Sequence, residues 1–260
     1  MDKLVIRPSS IDTFLQCPQQ WKRVFIDGVP SIPSGRAALG TAIHKAVEVM
    51  WNESIAAKEK SVNQSAMTDA AVEAFKEEEQ HGLSYDTGDT RKSLMALIVP
   101  GTDAFIEDIV PYADIPEAVE KRYTVEIPNH PLVEAISGTV DYDGTTMADT
   151  KTSKRKPTVS NYTIQQSTYK LLREKNGETV IDNQIHGIVL KKDPEGMILP
   201  AHIDMDLAKS AINSLLHTLE VYAEDKVDPD LLFRGNPKYY LCSPKYCAFY
   251  DTCKFRKGYV

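Results

Sequence analysis

The sequence predicts an α/β (α+β) fold, on three observations. Apolar residues recur at helical spacing from about Gly35 to Tyr112, the period changes to two at Val119, and the remainder reads helix, two strands, helix before a proline-broken tail. The predicted order is therefore helices, three strands, helix, two strands, helix.

Each element has a local reason. Ser9 or Ser10 is placed to cap a short helix carrying Ile11, Phe14 and Leu15, and Pro18 suits the first turn of a second helix bearing Trp21, Val24 and Phe25. Cys17 then stands at a helix N-terminus. Leu39, Ile43, Val47 and Met50, then Met67, Ala71 and Phe75, then Leu94, Leu97 and Ile98 before Pro100 mark at least three further helices. Val119, Tyr123, Val125 and Ile127 alternate with Glu120, Arg122, Thr124 and Glu126, the pattern of a strand with one wet face. Strands at Ile136–Tyr142 and Thr146–Lys151 flank Asp143-Gly144, a strong hairpin signal. A helix follows over Ser160–Arg173, then strands at Ile185–Leu190 and Met197–Ile203. Leu207, Ala211, Leu215, Leu219 and Tyr222 mark a long amphipathic helix. From Val227 onward Pro229, Pro237 and Pro244 predict an irregular tail.

With 260 residues, 42% hydrophobic and 26% charged, the chain can support one sizeable core. A net charge of −7 excludes a globally basic nucleic-acid coat, so any such binding must use local patches. The start MDKLVIRPSS holds no apolar leader, and no window approaches the roughly 20 apolar residues of a membrane span. The expectation is a soluble, cytoplasmic protein with reduced thiols, whose four cysteines need an explanation other than disulfides. Absence of repeats and linkers predicts one domain over 1–260, with a helical elaboration at 35–117, a core at 118–224, and a clamp made by 1–26 with 227–260.

The most informative stretch is Gly138-Thr-Val-Asp141-Tyr-Asp-Gly144-Thr-Thr-Met-Ala-Asp149-Thr-Lys151-Thr152. Asp149 and Lys151 are two apart on a strand and share a face, where a carboxylate can hold a hard divalent cation while the ammonium orients a water or offsets charge on a phosphate. Asp141 is the obvious second carboxylate. A three-residue loop, Tyr142-Asp143-Gly144, with Gly144 left-handed in a bulge, would pair Asp141 with Thr145 and bring it onto that face; Thr146 opposite Asp141 would turn it away. Gly138 leaves room for close backbone or ligand approach, and Lys151, Lys154, Arg155 and Lys156 form a basic run suited to phosphates. His44, on a helix amid Ile43, Ala46 and Val47, is either a third metal ligand or a hydrogen-bonded core histidine. Gln165 and Tyr169 are i, i+4 neighbours that would point together toward the lysine or a nucleic-acid backbone.

Cys242-x4-Cys247-x5-Cys253 clusters three thiols, with Cys17 alone near the start. A group of four suits tetrahedral zinc or an iron–sulfur cluster; the one-plus-three division favours a cubane with a distant fourth ligand. Such a clamp closes a loop of more than two hundred residues. Arg234, Lys238, Lys245, Lys254, Arg256 and Lys257, interleaved with tyrosine and phenylalanine, suit a sliding strand of DNA, and packing of the tail would explain the aromatics equally well.

Ser10-Ile-Asp-Thr-Phe14 with Cys17-Pro18, Gly40-Thr-Ala-Ile-His44, Gly138-Thr-Val-Asp141, Asp149-Thr-Lys151-Thr152, Gln165-x3-Tyr169 and the cysteine triplet occur in one order from Ser10 to Cys253. That order resembles the PD-(D/E)XK nuclease superfamily, in its RecB-type branch with an iron–sulfur cluster, which includes CRISPR-associated exonucleases. The resemblance implies a central mixed sheet flanked by helices, a restriction-endonuclease-like core, and a metal-dependent DNA exonuclease acting on single strands. It implies that His44, Asp141 and Asp149, with the Thr150 carbonyl, ligate Mg²⁺ or Mn²⁺, and that Lys151 positions the attacking water. Gln165 and Tyr169 would handle DNA, and Cys17, Cys242, Cys247 and Cys253 would hold a structural 4Fe–4S cluster, with zinc the lesser alternative. Aspartate stands at 149 where glutamate is commoner, and Cys242-x4-Cys247 is wider than the frequent C-x2-C. The context implied is recombination, repair or CRISPR spacer processing beside an integrase, in a cellular or viral setting. The rival reading is a non-catalytic DNA-binding or scaffold module with a cluster or zinc staple. Oligomeric state is not legible in these residues.

Overall fold

The computed structural model describes residues 3–257; Met1, Asp2 and 258–260, the ends of the expected clamp, lie outside the described residues. The chain opens with β1 (Leu4–Ile6), α1 (Pro8–Gln16) and α2 (Pro18–Phe25). The helical stretch follows as α3 (Gly35–Ala57), α4 (Gln64–Gln80), α5 (Arg91–Met95) and α6 (Ile98–Asp108). Then come β2 (Ala118–Glu126), β3 (Val133–Asp143), β4 (Thr146–Ser153), α7 (Thr163–Lys175), β5 (Asp182–Val189), β6 (Glu195–Pro200), α8 (Met205–Ala223) and α9 (Pro229–Leu232). Polar caps set several starts: Ser34 accepts from the Ala37 N–H at α3, Asn63 from Ala66 at α4, and Asp204 from Leu207 at α8.

One mixed sheet runs β1-β3-β4-β5-β6, with β2 on the other edge of β3. The β2–β3 pairing is antiparallel from Ala118–Asp143 to Glu126–Ala135, and β4–β5 is parallel from Thr146–Asp182 to Ser153–Val189. Between β3 and β4 only Tyr142 and Ala148 pair. The same edge of β3 instead receives β1, in parallel, at Val5–Ala135 and Ile6–Ile136. The two strands therefore splay into a fork just beyond Tyr142–Ala148, and the fork positions the candidate site.

Two apolar layers cover the sheet. In one, α3, α4 and α6 bury Trp51, Met50, Phe75 and Phe105 over Tyr142, Ala148, Ile188 and Leu190. The Trp51 ring meets Tyr142 edge-on at 5.5 Å between centroids. In the other, α1, α2, α7 and α8 gather Trp21, Phe14, Leu172, Leu215 and Phe233 against Val140 and Met147. Neighbours of equal parity on β3, Val140 and Tyr142, thus lie in different layers, so the chain changes face at Asp141. Opposite that point on β2, Glu120 takes a left-handed φ of 50°.

Several expectations are corrected. The first helix starts at Pro8 with Arg7 at its N-cap and no side-chain cap; the Ser10 hydroxyl instead donates back to the Arg7 carbonyl at 2.8 Å. Proline's preset φ, already at the first helical position, starts the helix ahead of either serine. The hairpin does not use a three-residue bulged loop. The Tyr142–Ala148 pair carries Asp141 to the level of Asp149, so neither Thr145 nor Thr146 lies opposite it, and Gly144 is not left-handed. Tertiary contacts outweigh turn propensity at that tip: Arg173 Nη1 donates to the Gly144 carbonyl at 2.8 Å, and Thr145 O accepts from Ile181 N at 3.0 Å. The helix expected from Ser160 begins at Thr163 after one 3-10 turn, and the tail carries the short α9 and a second 3-10 turn at Tyr250–Thr252. β1 was not expected, since three residues are too few to show a period. Among the described residues no helix is long and apolar enough to cross a membrane.

Candidate active site

Asp141 sits at the fork. Its Oδ2 accepts the Thr150 N–H at 2.8 Å and lies 3.4 Å from His44 Nδ1. Helix α3 brings His44 there because it packs hard on β4: a Cβ on Gly40 would come within 2.8 Å of Thr152 Oγ1. Asp149 and Lys151 project from β4 on the side of Met147, and their Oδ2 and Nζ form an ion pair at 2.6 Å. The Lys151 ammonium also lies 5.3 Å from the centre of the Tyr162 ring. Asp141, Asp149 and Lys151 are thus brought within electrostatic reach of one another through a different register from the one the hairpin rule suggests.

Burial raises the Asp141 carboxyl, and neighbouring Asp149 raises it further, with Lys151 opposing. Burial lowers His44, against the pull of Asp149, and so favours the neutral imidazole. Burial also works against the Lys151 charge, but Asp149 and Asp141 together hold the ammonium above the ordinary lysine range. Tyr169 is pushed up to about 12 by burial and by Asp149.

Three residues that the sequence did not single out belong to this neighbourhood. Asp12 on α1 is raised to about 6 by burial, with Lys151 opposing; Glu120 is raised by burial and then by Asp141; Tyr162 underlies Lys151. Glu120 was legible as part of a wet strand face, but its proximity to Asp141 depends on the β2–β3 register. A cleft of about 800 Å³ opens over His44, Glu48, Glu120, Thr139 and Asp141.

Among the described residues no three His, Cys, Asp or Glu side chains are arranged as a ready-made metal shell. Even so, the donor chemistry fits a hard divalent cation. Asp141 and Asp149 bring hard carboxylate oxygens, Asp149 Oδ2 being buried with Lys151 as its ion-pair partner, and His44 is held neutral.

The expected nucleic-acid residues separate. Lys154, Arg155 and Lys156 line a cleft of about 470 Å³ with Tyr162 and, from the tail, Lys245 and Tyr246. Lys154 is drawn to Asp89 at 3.0 Å, and Asp89 is itself gripped by Arg36. Gln165 and Tyr169 are instead buried, and Gln165 Nε2 donates to the Tyr169 hydroxyl at 3.4 Å. Gly138 makes room for protein atoms: a Cβ there would meet Tyr169 Cε1 at 2.6 Å and Pro8 Cγ at 2.7 Å.

Cys17, Cys242, Cys247 and Cys253 line one narrow cavity of about 30 Å³. The tail is tied there by Asn236 Nδ2 donating to the Gln16 carbonyl at 3.0 Å and Tyr239 OH donating to Gln16 Oε1 at 2.5 Å. Burial raises the Cys247 thiol, and the other three cysteines add to the rise. Phe233 and Phe249 are buried in the packing, whereas Tyr240 and Tyr246 stay exposed.

A profile of the PD-(D/E)XK nuclease superfamily matches residues 6–254. A crystal structure of a candidate exonuclease from Eubacterium rectale superposes with a TM-score of 0.58, covering 86% of this chain and 83% of that one at 12% identity, a likeness of fold. The structure of SSO0001, 14% identical over 82% of this chain and 96% of its own, gives a TM-score of only 0.35. No curated protein matches the chain. With the profile spanning nearly the whole sequence, the chain belongs to the PD-(D/E)XK nuclease superfamily.

Proposed function

We propose that the chain is a divalent-metal-dependent deoxyribonuclease that removes nucleotides from DNA ends, preferring single strands. The observation that carries this reading is the meeting of His44, Asp141, Asp149 and Lys151 in the fork between β3 and β4. His44, Asp141 and Asp149, with the Thr150 carbonyl, would hold Mg²⁺ or Mn²⁺. A bound cation supplies charge stabilisation on the phosphate and a nucleophilic water at neutral pH.

The protein's own groups do the rest. The neutral His44 imidazole keeps a lone pair available, and the Thr150 N–H fixes one Asp141 oxygen. Lys151, held charged by the two aspartates, orients the attacking water and offsets negative charge growing on the phosphate. Lys154, Arg155 and Lys156 would carry the strand toward it, and Gln165 would orient the Tyr169 phenol beside Asp149. Cys17, Cys242, Cys247 and Cys253 would hold a 4Fe–4S cluster as a clamp between the two ends of the chain. The gathering of all four thiols around one small cavity supports this. Work at DNA ends suits recombination, repair or spacer processing beside an integrase.

The test is digestion of single-stranded oligonucleotides labelled at either end, in Mn²⁺ and in EDTA, by wild type and Asp149→Asn. Stepwise, Mn²⁺-dependent shortening that the variant lacks is the expected outcome. Binding without divalent-dependent loss would favour a non-catalytic DNA-binding module. A brown anaerobic preparation is expected for the cluster, and a colourless one would point to zinc or bare thiols.

A further inference from the structure

A second cleft, of about 490 Å³, lies beside the fork and is lined by Arg7, Ser9, Arg122, Ser137, Thr139 and Tyr169, with no Asp or Glu among its lining residues. Arg122 stands on the wet face of β2, paired across to Thr139, while Arg7 joins β1 to α1. Neither guanidinium has a hydrogen-bond or ion-pair partner among the described residues, in contrast to Arg36 on Asp89 and Arg173 on Asp143. Two like charges facing one cleft repel, and an anion between them removes that cost.

Thr139 lines this cleft and also the one over His44 and Asp141. It precedes Asp141 by two residues on β3, about 6.8 Å along the strand. That step is within the reach of one nucleotide. Guanidinium forks match phosphate oxygens, and the Ser9 and Thr139 hydroxyls add donors. We propose that Arg7 and Arg122 form a phosphate-binding subsite one nucleotide from the scissile phosphodiester, an inference that rests on the nuclease reading above. The strand would then run from the Lys154–Lys156 cleft across the fork to this subsite, held on both sides of the bond that breaks.

The test reads binding alone. The full chain, in EDTA so that nothing is cut, is titrated by fluorescence anisotropy with single-stranded oligonucleotides bearing a 5′-phosphate, a 3′-phosphate or hydroxyls only, at several salt concentrations. Arg7→Gln and Arg122→Gln should each weaken binding about tenfold and flatten the log K against log salt slope by about 0.7 per lost phosphate contact. Arg122→Lys should restore the slope while recovering only part of the affinity, since a point charge replaces a fork. A loss confined to one phosphorylated end identifies a terminal phosphate as the occupant, and equal losses on all three identify an internal one. Unchanged affinity and slope on all three, in variants whose thermal melts match wild type, would overturn the subsite. Failure of the nuclease reading shows separately, as a protein that binds these oligonucleotides but does not cut them in Mn²⁺.

Discussion

Asp141 and Asp143 are the same residue type, two apart on one strand, and the fold gives them opposite fates. Asp143 is enclosed: Arg173 Nε lies 2.8 Å from one oxygen, the Tyr123 hydroxyl donates to the other at 2.8 Å, and Lys121 approaches at 3.4 Å. Asp141 has one backbone N–H and a neutral imidazole, with a second aspartate beside it and a cleft in front. The face change between Val140 and Tyr142 is what separates them. A carboxylate fully matched by protein cations holds a hairpin in place. One left under-compensated has affinity to spare for a cation from outside.

The largest effects should separate the two regions by kind. Lys151→Ala should lower the cleavage rate by about 10³-fold or more in single-turnover assays, with little change in unfolding midpoint. At the hairpin tip the order reverses. Arg173→Met leaves Asp143 buried with only the more distant Lys121 as a cation and should cost about 3 kcal/mol in urea titrations, and Arg173→Met with Asp143→Leu should regain most of it. A smaller effect tests a buried polar group that has no opposite charge beside it. His186, next to Thr150 across β4–β5, is lowered by burial to about 4, so the unfolded chain takes its proton more readily. Stability complete above the ordinary histidine value of 6.5 should be lost as pH falls toward 4, by roughly 3 kcal/mol, and His186→Gln should flatten that dependence. The smallest concerns Asp89, held near 2 by its hydrogen bond to Arg36. Its contribution, present above pH 3.8 and lost as pH falls through about 2, should be about 1 kcal/mol at this loop site. Asp89→Asn should also release Lys154 and tighten oligonucleotide binding severalfold, measured by anisotropy.

The alternation of β2, the helices from Gly35 to Tyr112 and the long α8 were legible because their apolar periods are long and each buries one face. Asp149 and Lys151 were legible as a pair because strand spacing alone puts them together. Asp141 comes near Asp149 and Lys151 for a different reason from the one local rules supply, since Arg173 and Tyr123, remote in sequence, fix the tip. Asp12 and Glu120 were not singled out as site residues because their nearness to Lys151 and Asp141 arises from pairing and packing that no local spacing encodes. Gln165 and Tyr169 were correctly seen as neighbours, but an i, i+4 pair on a helix carries no mark of which side is buried.

The most direct test sets the two aspartates against each other: Mn²⁺-dependent cleavage of a labelled single strand by Asp141→Asn and by Asp143→Asn, normalised to the folded fraction from a thermal melt. Asp141→Asn should be folded and inert, while Asp143→Asn should melt earlier yet cut normally for each folded molecule. Cleavage by Asp141→Asn at the wild-type rate would contradict the assignment of the fork as the catalytic centre.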